Sequence, residues 1–297
     1  MTDLAHELEH IAGNFYYLPG VVQIGVLVAG GEAIAIDTGL EDGAARKLLK
    51  ALEGAGLRLA AIVNTHSHAD HCGGNAFLKK RTGAPVYAPP VEAVYIEHPA
   101  LEPSYFFGAV PFKEVAGKWL MAAPSTVDHL LGPRAAIAGI EFECVPLPGH
   151  SIGQIGIATP EALWCADALM SREILDKYKL MYVYDPLAHR ETLEKMKGMR
   201  VAFTAGAHFP PMADAMPLIE ANLRNLDECE AAVLEAVDGP VSTEEVVARV
   251  CLGFALDLTP EMYLLNAGAV RGHLSVLQRK GRVRFSIEDR RPIWRRA

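Results

Sequence analysis

The sequence predicts an α+β protein, a sandwich of two β-sheets covered by helices with a functional site along one edge, followed by a small helical C-terminal domain. Three observations carry that prediction. Short apolar runs alternate with stretches of helical periodicity, the apolar runs repeatedly end in His or Asp, and after His208 the chain changes to long helix-like segments.

Residues Val21 to Gly30 and Glu32 to Asp37 are apolar runs separated at Gly30-Gly31, as a hairpin requires, and are expected to open the first sheet. Glu41 to Ala55 carries Ala44, Leu48, Leu49 and Leu52 at helical spacing, Leu59 to Asn64 reads as the next strand, and Gly74 to Arg81 begins another helix. Glu141 to Val145, Ala162 to Cys165 and Val201 to Gly206 are further strand-like runs. From about Pro89 to Gly132 the alternation stops, and Tyr95, Tyr105, Phe106, Phe107, Trp119 and Met121 sit among several prolines. A long irregular stretch in a compact domain is usually functional, which suggests a lid or a dimer contact; aromatics that simply pack over the core are the equal alternative. Tyr178, Tyr182 and Tyr184 are further candidates to line a pocket, but their sequence fits helix and loop alike and no role is assigned.

Met216 to Val237 is a helix-like run ending at the turn Asp238-Gly239-Pro240. Ser242-Thr243-Glu244-Glu245 has the form of a helix N-cap with an acidic first turn, and Val246, Val247 and Val250 supply an apolar face. A further helix with Val270, Leu274 and Leu277 leads into Gly281-Arg282-Val283-Arg284-Phe285, so that helix, helix and hairpin follow one another as in a winged helix. The expected division is a catalytic domain over 1–237, with an insertion at about 89–132, and a winged-helix-like domain over 238–297.

Composition limits the function. Of 297 residues 51% are apolar and the net charge is −8, as expected of an ordinary soluble protein rather than a disordered or membrane one. No stretch of about 20 apolar residues occurs, and Met1-Thr2-Asp3-Leu4-Ala5-His6-Glu7 has no basic region leading into an apolar run, so the expectation is a cytoplasmic protein without membrane contact. Five cysteines without framework spacing fit reduced thiols. Cys72 and Cys165 stand beside candidate ligands, where a thiol is either activated or a small buried packer. From Arg271 to Ala297 nine basic residues face only Glu288 and Asp289, in a chain that is otherwise acidic.

The densest chemistry lies in His66-Ser67-His68-Ala69-Asp70-His71, directly after an apolar strand. Imidazole nitrogen and carboxylate oxygen both bind zinc at about 2.0 to 2.2 Å. If the chain leaves the strand extended, His66 and His68 project to one side and share a metal, while Asp70 and His71, after the chain has turned toward Gly73-Gly74, address a second position. Two ions are the natural occupancy. His150 in Pro148-Gly149-His150-Ser151, Asp167 after Ala162 to Cys165, and His208 after Val201 to Gly206 are three more candidate ligands at strand ends. Taken singly each is as readily a turn former, and their shared position is what gives them weight.

Together these motifs, from about Val21 to His208, resemble the metallo-β-lactamase superfamily, whose fold is a four-layer αββα sandwich. The resemblance implies that His66, His68 and His150 hold a first metal, that Asp70, His71 and His208 hold a second, that Asp167 bridges them, and that Asp37 in Ile34-Ala35-Ile36-Asp37-Thr38-Gly39 braces the site from behind. An aspartate at position 167 resembles the glyoxalase II branch more than the antibiotic-degrading one, and a histidine at position 68 differs from the glutamate usual in flavo-diiron reductases.

The expected cofactors are two divalent metal ions, zinc foremost, with iron or manganese compatible with the same ligands. Ions about 3.5 to 4 Å apart lower the pKa of a bound water toward about 7, so no serine or cysteine nucleophile is required; Asp70 is the expected catalytic residue, orienting the nucleophile or carrying a proton. The expected activity is hydrolysis of a small ester, thioester or lactone-like substrate. A second reading is a metal-dependent endoribonuclease that uses the basic C-terminal module on RNA, against which stand a solvated tail or a homodimer contact. A third is a mono-iron persulfide dioxygenase, which shares the motif. The C-terminal module departs from glyoxalase II, whose C-terminal region supplies glutathione-binding residues that have no match here.

Overall fold

Two mixed β-sheets enclose the main apolar core in this computed structural model, which describes residues 7–297. The expectation that no targeting segment is present rests on Met1 to His6, which lie outside the described residues. The first sheet runs in chain order from β1 (Glu9–Ala12) through β2 (Phe15–Leu18), β3 (Ile24–Ala29), β4 (Glu32–Ile36), β5 (Arg58–Val63) and β6 (Val86–Ala88) to β7 (His129–Leu130). Its first four strands form an antiparallel meander and the rest continue parallel from β4. The second sheet contains β8 (Arg134–Ile137), β9 (Ile140–Pro146), β10 (Ile155–Ala158), β11 (Ala162–Trp164), β12 (Phe203–Gly206) and β13 (Phe209–Met212), in the order β13-β12-β11-β10-β9-β8.

Alternation along each strand sorts side chains between layers. Ile34 and Ile36 of β4 join Phe142, Ile157 and Trp164 of the other sheet in the central core. Ala33 and Ala35 face the opposite way, against Leu48 and Leu52 of α1 (Asp42–Gly54) and Leu78 of α3 (Asn75–Thr82), the short α2 (Ala69–Cys72) lying between these helices in sequence. Beyond the second sheet, Leu163 and Cys165 pack on Leu193 and Met196 of α7 (Pro186–Lys197) and Leu218 and Leu223 of α8 (Met216–Ala236). The layers are therefore helix, sheet, sheet, helix.

Two expectations are corrected. The Val21 to Gly30 run is shorter as a strand, beginning at Ile24, and Val21 is 90% exposed; the sheet opens instead with the β1-β2 hairpin, whose four-residue strands are too short for alternation to declare itself. The stretch 89–132 is not irregular. It contains α4 (Pro90–Glu97) and α5 (Leu101–Phe107), a 3-10 turn at Lys113–Val115 and β7. Helices of eight and seven residues complete about two turns, which leaves no sustained period to read. Within the stretch Phe106, Val115 and Leu120 are buried with Leu264, whereas Tyr105, Phe107, Trp119 and Met121 remain exposed.

After α6 (Arg172–Tyr178) and α7, the long α8 spans two cores: Leu218 to Leu226 cover the second sheet, while Cys229, Val233 and Ala236 join α9 (Thr243–Gly253) and α10 (Pro260–Arg279). Ser242 caps α9 with a reciprocal bond from Glu245, as the Ser-x-x-Glu spacing predicts. The chain ends in the hairpin β14 (Val283–Glu288) and β15 (Arg291–Arg296), where Val283 is the buried anchor. Among the described residues no helix is long and apolar enough to cross a membrane.

His273 of α10 is 1% exposed with neither ring nitrogen hydrogen-bonded. Burial, aided by Arg190 and Lys280 against the pull of Glu230, pushes it down to about 4. The unfolded chain takes up a proton at about pH 6.5 and the folded chain only near pH 4, so stability is complete above the former and lost between the two. Urea unfolding across that window is expected to show His273→Leu losing about 1.4 kcal/mol less stability per pH unit than the parent chain. An unchanged slope would place the proton uptake elsewhere.

Candidate metal centre

The site lies where several strands of both sheets end. β5 stops at Val63, and the chain continues extended through His66 and His68, which point the same way while Ser67 between them points to the other side. At Ala69 it turns into α2, which carries Asp70 and His71. The turn is held close to the end of β4, where a Cβ on Gly73 would stand 1.8 Å from the Leu40 carbonyl oxygen, so only glycine admits this approach. His150 follows β9, Asp167 follows β11 in a 3-10 turn, and His208 lies between β12 and β13. Ala166, at φ 49°, takes a left-handed conformation rare for a residue with a side chain, and thereby aims Asp167 inward.

All seven predicted residues converge. His66, His68 and His150 form one group and Asp70, His71 and His208 another, each with candidate ligand atoms within 4.8 Å of one another. His68 Nδ1 and His150 Nε2 face each other at 2.9 Å. Asp167 lies between the groups, with Oδ2 3.4 Å from His150 Nε2 and 3.2 Å from His208 Nε2, and Oδ1 3.1 Å from His71 Nε2. Asp70 is the most open carboxylate, 3.7 Å from His208 Nε2 and 3.9 Å from His71 Nε2.

The fit of these residues to metal ions is tested by what they leave unpaired. His66 Nε2, His71 Nε2 and Asp167 Oδ1 are buried without a hydrogen-bond partner; although the last two lie 3.1 Å apart, they are out of line for a bond. Buried orphans of this kind are costly, and three of them directed into one space match a site for cations. The opposite ring atoms are fixed as ligand histidines require. His71 Nδ1 pairs with Asp37 Oδ2 at 2.9 Å and His66 Nδ1 with Thr65 Oγ1 at 3.0 Å, while Asp37 also accepts from the Thr65 amide and hydroxyl, each at 2.8 Å. Asp37 is fully buried and itself left-handed at φ 63°, which suits a bracing role.

The electrostatics divide along the same line. Burial and neighbouring imidazoles hold His66 well below its usual range, and burial pushes His68 down to about 4 and His150 to about 3, so this group is neutral, the form that binds metal. For His71 and His208 burial acts downward too, but Asp167 and other carboxylates outweigh it and raise both. Burial alone would raise Asp167; His208 and His71 hold it well below the ordinary carboxylate range. Burial raises the thiols of Cys72 and Cys165 far from ionisation, which supports their reading as packers and leaves no activated thiol in the site.

Four further residues shape the site: Glu92 and Glu102, which the sequence did not single out, and Tyr182 and Tyr184, two of the three tyrosines it marked as pocket-lining candidates. Glu92 of α4 is 1% exposed; its Oε2 accepts from the amide (2.9 Å) and hydroxyl (2.6 Å) of Ser67, and its Oε1 from the Ser151 hydroxyl (2.8 Å) and the Gly153 amide (2.6 Å). One carboxylate thus ties the loop bearing His66 and His68 to the loop bearing His150. A lone glutamate inside the apolar run Val91-Glu92-Ala93-Val94 is the signal that marks it. Glu102 of α5 reaches within 3.8 Å of His68 Nε2, and burial, with Asp70 and Glu92 nearby, holds it well above the usual carboxylate range. Tyr182, hydrogen-bonded to Tyr105, and Tyr184 complete the wall. The 89–132 segment therefore both covers the site and packs on α10.

With this geometry in place, comparison with known proteins gives the family. Residues 17–208 match the metallo-beta-lactamase superfamily, to which the chain belongs. It is similar to hydroxyacylglutathione hydrolases of Dechloromonas aromatica (31% identity over 146 residues, 49% of this chain and 43% of that one) and Rhizobium meliloti (32% over 128 residues, 42% and 40%). The matched region spans less than half the length of these curated relatives. In fold it is similar to a metallo-beta-lactamase family protein from Thermus thermophilus (TM-score 0.76, 21% identity, 97% of this chain and 100% of that one) and a beta-lactamase domain protein from Burkholderia ambifaria (0.72, 17%, 100% and 95%).

Glu92→Ala leaves four donors facing a void. It is expected to lower unfolding stability by about 2 to 4 kcal/mol and to weaken metal uptake at the His66, His68 and His150 group, read by urea titration and by competition with a chromophoric chelator. A fully stable variant with parental metal affinity would show that the ligand loops hold their spacing without it.

Proposed function

We propose that this protein is a dinuclear metal-dependent hydrolase acting on a small ester, thioester or lactone-like substrate. The observation that carries the reading is the position of Asp167 between two groups of candidate ligands, with its Oδ1 and the Nε2 atoms of His66 and His71 buried and unpartnered. His66, His68 and His150 would hold one ion, Asp70, His71 and His208 the other, and Asp167 both. The donor set of five imidazoles and two carboxylates suits zinc, with iron and manganese compatible. When bound, such ions supply Lewis acidity that makes water nucleophilic at neutral pH and polarises a carbonyl oxygen.

The chain's own residues supply the rest. Asp70, on the open side of the site, accepts the proton of the attacking water at a carboxylate oxygen and delivers it to the leaving group. Asp37 and Thr65 fix the histidine tautomers so that Nε2 of His71 and of His66 face inward. Tyr105, Tyr182 and Tyr184 line the small cavity beside His68. The similarity to hydroxyacylglutathione hydrolases favours a thioester among the candidates, and two ligand groups rather than one favour hydrolysis over mono-iron oxidation.

We further read residues 238–297 as a winged-helix-like module appended to a catalytic domain over 1–237, supported by the order α9, α10, β14, β15 and by their shared core around Val246, Leu274 and Val283. RNA is the less favoured substrate, because Lys280, Arg295 and Arg296 of the basic C-terminal stretch are already engaged by Glu230, Glu288 and backbone carbonyls. Five free, buried cysteines support a reducing, cytoplasmic setting. The exposed Phe107, Trp119 and Met121 would suit a homodimer contact.

Asp167→Ala is expected to lose bound metal and thioester hydrolysis together, the rate falling about a thousandfold or more, as measured by elemental analysis and by thiol release. Full hydrolysis with parental metal content in that variant would remove the bridging role. Metal affinity should also fall as pH drops. His71 and His208 are raised, so protons begin to compete with metal above the usual imidazole value of about 6.5, and Asp37→Asn should move that onset to lower pH in chelator competition.

A further inference from the structure

The buried face of α7 carries a histidine that the ligand groups do not use. His189 is 5% exposed and shares that face with Thr192, Leu193 and Met196, where an apolar side chain would be the ordinary choice. Its Nδ1 is buried without a hydrogen-bond partner. Buried polar atoms are nearly always paired, by protein groups or by ordered water, so this nitrogen marks a place where something binds.

The start of α7 grips the loop that carries His150. The Asp185 and Tyr184 amides donate to the carbonyls of Gly149 (3.0 Å) and His150 (3.2 Å), and the Thr192 hydroxyl donates to that of Pro148 (2.7 Å). Gly149, at φ 125°, lets the two backbones meet: a Cβ there would stand 2.3 Å from the His189 backbone nitrogen. His150 and His189 then line one cavity of about 10 Å³, room for a single water, together with Asp167, Asn222 and Asn225. The last three are committed. Asn222 Oδ1 accepts from the Met170 amide while its Nδ2 donates to the Met170 and Leu218 carbonyls, and Asn225 Nδ2 donates to the Lys179 carbonyl. Asp167 faces the imidazoles of His71, His150 and His208. His150 turns Nε2 toward His68 and Asp167, which leaves Nδ1 as its other polar ring atom, without a hydrogen bond among the described residues. Burial pushes His189 down to about 3, so its ring is neutral and Nδ1 can accept.

We propose that His189 is a positioning residue for His150, acting through one water held in this cavity: His150 donates from Nδ1 to the water, and the water donates to His189 Nδ1. The inference rests on the reading of His150 as a metal ligand for its function, but not for the water site itself. It extends a pattern already present. Thr65 and Asp37 pair with the outer nitrogens of His66 and His71, and His189 does the same for His150 at one remove, so that Nε2 of each faces the shared space. Through Leu193 and Met196, which pack on the second sheet, the outer helical layer becomes part of the frame that orients the site.

A crystal structure of the metal-free protein tests the water directly. A water within about 3.2 Å of both His150 Nδ1 and His189 Nδ1 is expected, and its absence overturns the proposal. Zinc affinity, measured by competition with a chromophoric chelator, tests the positioning. His189→Leu fills the space without an acceptor and is expected to bind zinc about tenfold or more weakly, whereas His189→Asn, whose amide oxygen can stand where Nδ1 stood, should stay within about threefold of the parent chain. Urea unfolding checks that each variant folds, and His189→Met replaces the leucine variant if that one does not. Parental affinity in the folded apolar variant, or an equal fall in the apolar and asparagine variants, shows that the ring only fills space and overturns the positioning role. If the parent chain binds no zinc, the metal-centre reading fails by itself, and the water bridge stands or falls on the crystal structure.

Discussion

The carboxylate of Asp37 is the constraint on which the remaining geometry depends. It stands at the end of β4, fully buried and in a left-handed conformation, and its two oxygens receive the Thr65 amide, the Thr65 hydroxyl and the His71 ring. Those bonds join three consecutive pieces of chain: the end of β4, the end of β5 and the helix that carries Asp70 and His71. Because Thr65 also holds His66, the orientation of histidines in both ligand groups follows from one acceptor. A buried carboxylate without these donors would be strongly destabilising, so the fold and the site cannot form separately at this point.

Glu92 performs a parallel task on the other side. It joins the His66 to His68 loop with the His150 loop, and because it belongs to α4 it makes the 89–132 segment part of the site's frame. The segment then continues through α5 to Phe106, Val115 and Leu120, which pack on Leu264 of α10. A physical path therefore runs from the candidate ligand loops through the 89–132 segment to the C-terminal helix. α10 in turn lies against Tyr182 and Pro186 at Gly268 and Gly272. The C-terminal region is thereby part of the wall around the site, whatever its ancestry.

Much of the fold was legible because burial imposes period on sequence. The hairpin at Gly30-Gly31, the helix with Leu48 and Leu52, the capping box at Ser242 and the long run from Met216 each carry a local signature of spacing or turn chemistry, and each element is present. The β1-β2 hairpin and the short helices α4 and α5 carried no such signature: four residues of strand or two turns of helix are too few to establish a period. They are ordered by what they pack against.

The sequence by itself determined the inventory of candidate ligands, since imidazole and carboxylate at strand ends are recognisable by residue type and position. Only the tertiary structure decided how far Asp167 lies from each group, which ring nitrogens are free, and that Glu92, Glu102 and the tyrosines surround them. The reason is physical: a ligand's identity is local, whereas desolvation and pairing belong to contacts between residues distant in sequence, such as Glu92 with Ser151 or Gly268 with Tyr182, which no local pattern encodes.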